Sequence, residues 1–72
     1  MDKKLEPMHS TIAELGETVT QVITMMGGYK KTFRGVKTNS FLVGEYSHFE
    51  TTDGRKVMIR TENILIIEVT KE

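Results

Sequence analysis

A chain of 72 residues with 10 basic and 10 acidic side chains carries no formal net charge and makes one domain, near the lower size at which a single core holds itself together. It has no cysteine for disulfides and no ligand cluster for a structural metal, so association with further copies is the remaining staple. The neutral total by itself argues for neither a nucleic-acid protein nor a disordered tail, yet no acidic residue falls between Glu17 and Glu45, where Lys30, Lys31, Arg34 and Lys37 form a local basic patch.

Residues 1–6 are polar and are expected to fray. From Pro7 to Leu15 the apolar positions Met8, Ile12 and Leu15 are spaced by four and three, which predicts a short helix over 7–15. Pro7 suits its first turn, Ser10 or Thr11 with Glu14 can make a capping box, and Gly16 fits the C-terminal cap. So short a helix is marginal alone and is expected to dock its stripe as a lid on the rest of the chain.

Glu17 to Met26 is rich in β-branched residues and predicts a first strand, with Val19, Ile23 and Met25 on one face and Thr18, Thr20, Val22 and Thr24 on the other. Gly27-Gly28 supplies a turn. Lys30 to Lys37 predicts the second strand, bent at Gly35, and Thr38-Asn39-Ser40 reads as a turn or as a bulge within one long strand. Phe41 to Thr52 is expected to continue as strand, with Gly44 a further bend. Asp53-Gly54 then predicts a two-residue type I′ hairpin, because both central residues of that turn need positive φ. In that register Thr52 pairs with Arg55, Glu50 with Val57, Phe49 with Met58 and His48 with Ile59, while Val57 and Ile59 share one face. Thr61-Glu62-Asn63 makes a tight corner, and Ile64 to Val69 is the last strand. That strand is apolar on both faces, Ile64 and Ile66 alternating with Leu65, Ile67 and Val69, so it needs cover on both sides. A neighbouring subunit supplies such cover, which makes Ile64, Leu65, Ile66, Ile67 and Val69 the expected oligomer interface. The whole reads as a mainly β domain over residues 1–72: a helix over 7–15, then a closed or nearly closed, strongly bent five-stranded antiparallel barrel over 17–70.

Val57-Met58-Ile59-Arg60-Thr61-Glu62-Asn63-Ile64-Leu65-Ile66-Ile67 resembles the second sequence motif of the Sm and Sm-like (Lsm) proteins, which form rings that bind single-stranded RNA. The matching positions are Ile59, Arg60, Glu62, Asn63 and Ile64, and Thr61 stands where the family usually has glycine. A short helix followed by five strands is also that family's order, and the resemblance implies its small SH3-like barrel and a ring-shaped homo-oligomer. It further implies that residues near Lys37 to Ser40 and Arg60 to Asn63 meet around a central pore, with Asn39 as the candidate for the asparagine of the family's first motif. A divergent phage-type member is one form such a chain would take.

The inventory for catalysis is thin. There is no cysteine, and His9 and His48 lack the spacing of a helical metal site. His48 reads as a structural histidine, and Glu50, Asp53 and Glu62 as solvated strand and turn residues. Gly27-Gly28 followed by Lys30-Lys31 lacks the Ser or Thr after lysine and the helix of a phosphate loop. No enzyme activity, cofactor, metal or small-molecule substrate is therefore expected. For nucleic acid the pattern is more coherent. Tyr29, Lys30, Lys31, Phe33 and Arg34 interleave rings that stack on bases with cations that meet phosphates, although Phe33 suits the core as well. Arg60 and Asn63 are the expected base contacts, Lys30, Lys31 and Lys37 the expected phosphate contacts, and Asn39 and Tyr29 are further expected RNA-binding residues. The competing expectation is an oligomeric structural or protein-interaction module without nucleic acid, such as a phage ring component. No apolar run reaches membrane-spanning length and no apolar signal core follows the polar start, so a cytoplasmic protein is expected.

Overall fold

The computed structural model describes residues 12–72. Among them are six strands: β1 (Thr18–Met25), β2 (Lys30–Lys37), β3 (Leu42–Val43), β4 (Tyr46–Glu50), β5 (Lys56–Arg60) and β6 (Ile64–Lys71). They form two three-stranded antiparallel sheets, ordered β2-β1-β6 and β3-β4-β5. A single pairing of Val36 with Thr51 joins the sheets, and short 3-10 turns at Thr38–Ser40 and Thr61–Asn63 make the corners.

Alternation in β1 places the core. Val19 and Ile23 are buried against Val36 and Phe33 of β2 and Phe49 of β4. Phe33 meets Phe49 edge to face at 5.1 Å between ring centroids, a geometry worth about 0.5–1.5 kcal/mol beyond the area buried. Phe33 therefore belongs to the core and offers no platform to a base. Gln21 shares this inward face, 3% exposed, and its Oε1 has no hydrogen-bond partner among the described residues.

Gly35 bends β2 as expected. Its φ of 64° is a left-handed value, and the ladder with β1 is irregular here, passing from Val19–Val36 to Gln21–Phe33. The bulge carries β2 toward the second sheet, where the Thr52 amide donates to the Gly35 carbonyl at 2.8 Å. The Thr38–Ser40 turn is pinned at both ends. The Thr38 amide donates to the Glu17 carbonyl, while Ser40 Oγ donates to the Lys37 carbonyl at 2.7 Å and accepts from the Glu50 amide at 2.9 Å.

Four expectations are corrected. The stretch Phe41–Thr52 is not one strand: Gly44 and Glu45 reverse the chain, so that Leu42 pairs with His48 and Val43 with Ser47, and six strands replace the expected five. The helix expected over 7–15 is not seen; residues 7–11 lie outside the described region, and beyond them only Ile12 and Ala13 are helical before a turn closed by amides of Leu15 and Gly16. The Asp53-Gly54 hairpin is one residue out of the expected register, pairing Phe49 with Val57, His48 with Met58 and Glu50 with Lys56. Only Gly54 has positive φ, at 93°, so the loop is Thr52-Asp53-Gly54, with a Gly54 amide bond to the Thr51 carbonyl and a Thr51 amide bond to the Arg55 carbonyl. Asp53 favours this longer loop because its carboxylate accepts from the Thr51 hydroxyl and from Arg55 Nε.

The fourth correction concerns β6. Its ladder with β1 shifts between Ile66–Thr24 and Ile64–Met25, leaving Leu65 as the extra residue. Ile64 thereby joins Val69 against the core instead of alternating with Leu65 on the same face as Ile66. Ile67 lies opposite buried Ile23 yet is 44% exposed. Leu65, Ile66 and Ile67 form a continuous exposed apolar run on a strand with no second neighbour among the described residues.

Candidate functional site

The β4–β5 ladder sorts the expected site residues into two groups. Tyr46 pairs with Arg60 at one end and Glu50 with Lys56 at the other. Lys37 lies by Glu50, its Nζ 4.0 Å from Oε1, so Lys37 and Arg60 are four ladder steps apart, roughly 13 Å at strand rise. Within one chain, the turn around Asn39 and the corner at Arg60 do not come together. The loop that does meet Arg60–Asn63 is the β3–β4 turn, Gly44 to Tyr46.

That junction is built by Thr61, the residue that departs from the resembled motif. Its amide donates to the Glu45 carbonyl at 3.0 Å and its hydroxyl to the Gly44 carbonyl at 2.5 Å. Because this uses the Thr61 proton, the 2.8 Å contact between Ser47 Oγ and Thr61 Oγ1 has Ser47 as its donor. A glycine at 61 would lack this side-chain clasp. The sequence marks Thr61 only as a corner residue and a departure from the resembled motif, and it marks neither Glu45 nor Tyr46 as a site residue; the glycine before Glu45 was the signal available.

Arg60 stands over this junction with its guanidinium carbon 5.8 Å from the centroid of the Tyr46 ring. Its Nη2 is 2.6 Å from Glu62 Oε2 and 4.0 Å from Glu45 Oε2. Arg60, Thr61, Glu45 and Glu62 line an open depression of about 420 Å³. All three charged side chains are well exposed, and exposed ion pairs are worth about 0–1 kcal/mol, less than the roughly 1–3 kcal/mol of one stacked base. Arg60 is thus held loosely enough to be turned toward a ligand.

The β1–β2 turn reaches the same end of the molecule. The Met26 amide donates to the Asn63 carbonyl at 2.7 Å, and the Met25 amide to the Tyr29 carbonyl at 2.9 Å, which closes the turn beneath an exposed Tyr29 ring. The turn that carries Tyr29 is thus anchored to the backbone of Asn63. Lys30 and Lys31 follow directly but pair with Thr24 and Ile23, so they stand on opposite faces of the sheet and form no single phosphate track.

The second group lines a groove of about 420 Å³ that includes Lys37, Asn39, Phe41, His48, Glu50 and Lys56. Glu50 lies between two ammonium groups, Lys37 at 4.0 Å and Lys56 at 3.8 Å. His48 is half-buried and lies opposite Met58, not Ile59 as expected. Across the sheet, Leu42, His48 and Met58 form one row from three strands, with Leu42 and Met58 largely exposed.

Among the described residues, no group of three or more His, Asp or Glu is placed to hold a metal ion, and no helix is long and apolar enough to cross a membrane. His9 lies outside the described residues. In comparisons with known proteins, no family model, curated protein or solved structure matched the chain.

Proposed function

We propose that this protein is a non-enzymatic, Sm-like small barrel that assembles into a ring of identical subunits and binds single-stranded RNA at the end where Tyr29, Arg60 and Asn63 gather. The observation that carries the proposal is the convergence of three loops at that end: the β1–β2 turn on Asn63, the β3–β4 turn on Thr61, and Arg60 stacked near Tyr46 between them. A guanidinium beside the Tyr46 ring, with Asn63 three residues further along the corner and Tyr29 on the turn bonded to it, supports stacking on one face of a base and hydrogen bonding at its edge. Assembly is supported by the adjacent β6, whose unpaired edge displays Leu65, Ile66 and Ile67. A lone subunit buries five apolar side chains and exposes nine large ones among the described residues, so burying more by association is favourable.

A titration of fluorescent oligouridylate and oligoadenylate at two salt concentrations, with Arg60→Ala alongside, tests RNA binding. Binding that weakens with salt and in the variant is expected; no binding at low salt refutes it. Native mass of Ile66→Glu tests assembly separately: dissociation is expected, and an unchanged mass removes β6 as the interface.

A second reading, an oligomeric protein-interaction module without nucleic acid, is favoured by Glu45 and Glu62 flanking Arg60 and by the exposed Leu42–His48–Met58 row. A stable oligomer that binds neither RNA would select it.

A further inference from the structure

The sheet β2-β1-β6 carries a second polar arrangement, away from the Arg60 corner and independent of how that corner is used. At the β2 bulge Arg34 and Gly35 lie opposite Thr20, between the Val19–Val36 and Gln21–Phe33 pairs. One oxygen of the Glu72 carboxylate, reaching across from the end of β6, accepts from the Gly35 amide at 2.9 Å and from the Thr20 hydroxyl at 2.7 Å. We propose that the Arg34–Gly35 bulge, with Thr20, is a binding site for a phosphate group and that Glu72 occupies it as a built-in competitor.

The donors are fixed before any ligand arrives. Gly35 holds a left-handed φ, its carbonyl accepts from the Thr52 amide, and a Cβ at this position would lie 2.6 Å from Thr52 Oγ1. The Gly35 amide is thus aimed outward by contacts on its other side, as in backbone anion nests. Its partner in the structure is already an anion, held first by hydrogen bonds and only secondarily by the surrounding positive charge. Thr18 to Gly44 contains no acidic residue, while Arg34 sits in the bulge and Lys71 beside Glu72. The Glu72 carboxyl is held below its ordinary value, first by the Gly35 amide, then by the Thr20 and Thr18 hydroxyls, with Arg34 contributing least. A carboxylate uses one oxygen for both donors here. A phosphate offers further oxygens, two non-bridging ones in a diester and four in the free ion, so it can accept from the amide and the hydroxyl and still present an oxygen to the Arg34 guanidinium.

Tethering makes Glu72 a competitor at an effective concentration on the order of millimolar, so a weak ligand is excluded until Glu72 is removed or drawn elsewhere. The test follows backbone amide resonances of the wild type and Glu72→Ala, titrated at constant ionic strength with inorganic phosphate and, separately, with the dinucleotide UpU. In Glu72→Ala the Gly35 and Thr20 signals should shift saturably, at a midpoint about tenfold below that of the wild type. Adding Thr20→Val should raise that midpoint about fivefold, for one lost charge-assisted hydrogen bond. Saturation by phosphate alone identifies a free-ion site and by UpU a diester site, and either upholds the proposal. Saturation by neither, or equal midpoints with and without Glu72, overturns it. If Glu72→Ala does not give a dispersed folded spectrum, Glu72→Gln keeps a neutral acceptor in place and the same comparison applies, with about a threefold gain over wild type required.

Discussion

Replacing Gly35 by alanine tests the packing that brings the two sheets together. The left-handed backbone at φ 64° costs a residue with a Cβ roughly 1–2 kcal/mol. The new Cβ would lie 2.6 Å from Thr52 Oγ1 but 3.7 Å from Thr52 Cβ and 3.8 Å from its nitrogen, so the conflict is with the hydroxyl alone. Thr52 then has to leave its rotamer, at about 0.5–1.5 kcal/mol. Should the bulge open instead, the Thr52 amide bond to the Gly35 carbonyl is lost, at a similar cost. The sum is about 2–3 kcal/mol, a large share of the stability of so small a domain. With a urea slope near 1 kcal/mol per molar, the unfolding midpoint should fall by roughly 2–3 M at a fixed protein concentration. Thr52→Ala on the Gly35→Ala background should return about 0.5–1.5 kcal/mol, since the clashing atom is gone while the backbone cost stays. A Gly35→Ala midpoint within about 0.3 M of wild type, or no recovery in the double variant, would refute the account of this bend.

Gln21→Leu should stabilise the fold by about 1 kcal/mol, because it replaces a buried carbonyl lacking a partner among the described residues with an apolar group of similar size. Its urea midpoint should rise, and a clear fall would mean that the amide is satisfied in solution. Acid sensitivity follows from Asp53, whose pKa is lowered below its ordinary 3.8 first by the Thr51 hydroxyl and then by Arg55. A lowered folded-state value means that its stabilisation is fully present above 3.8 and fades as pH drops through the lower folded value. The stability difference between wild type and Asp53→Asn should therefore be level at neutral pH and shrink only below pH 3.8, and a difference that changes with pH near neutrality contradicts this.

The strands most legible in the sequence were those whose pattern answers to a local rule. β2 spans the expected Lys30–Lys37, β1 differs from expectation by one residue at each end, and the bend falls at Gly35, where a residue without a Cβ was required. The hairpin after β4 was legible in place but not in register, because Asp-Gly serves both a two-residue loop and a three-residue loop with glycine last. What separated them was the side-chain bonding of Asp53 to Thr51 and Arg55, together with the gain from placing Phe49 and Val57 side by side at the core. One residue of slip changed the neighbour of every β4 side chain, His48 among them.

Of the candidate site, the sequence by itself determined the chemistry: an arginine, an asparagine and a tyrosine beside lysines, in a chain without cysteine. It also determined that the last strand is apolar on both faces, since no register leaves Ile64 to Ile67 with a polar side. Which residues share a surface was decided by tertiary structure alone. Phe33 went to the core because its ring fits edge-on against Phe49, and Lys30 and Lys31 were sent to opposite faces by the pleat. Lys37 and Asn39 were carried to the far end of the β4–β5 ladder, while the turn at Gly44 brought Glu45 and Tyr46 to Arg60. The physical reason is that local preferences depend on residues within a few positions of one another, whereas a surface is assembled from ladder register, bulges and corners that set long-range neighbours. A bulge at Leu65 shifts those neighbours by one residue, at which spacing a side chain changes face, and a turn at Gly44 replaces them by reversing the chain.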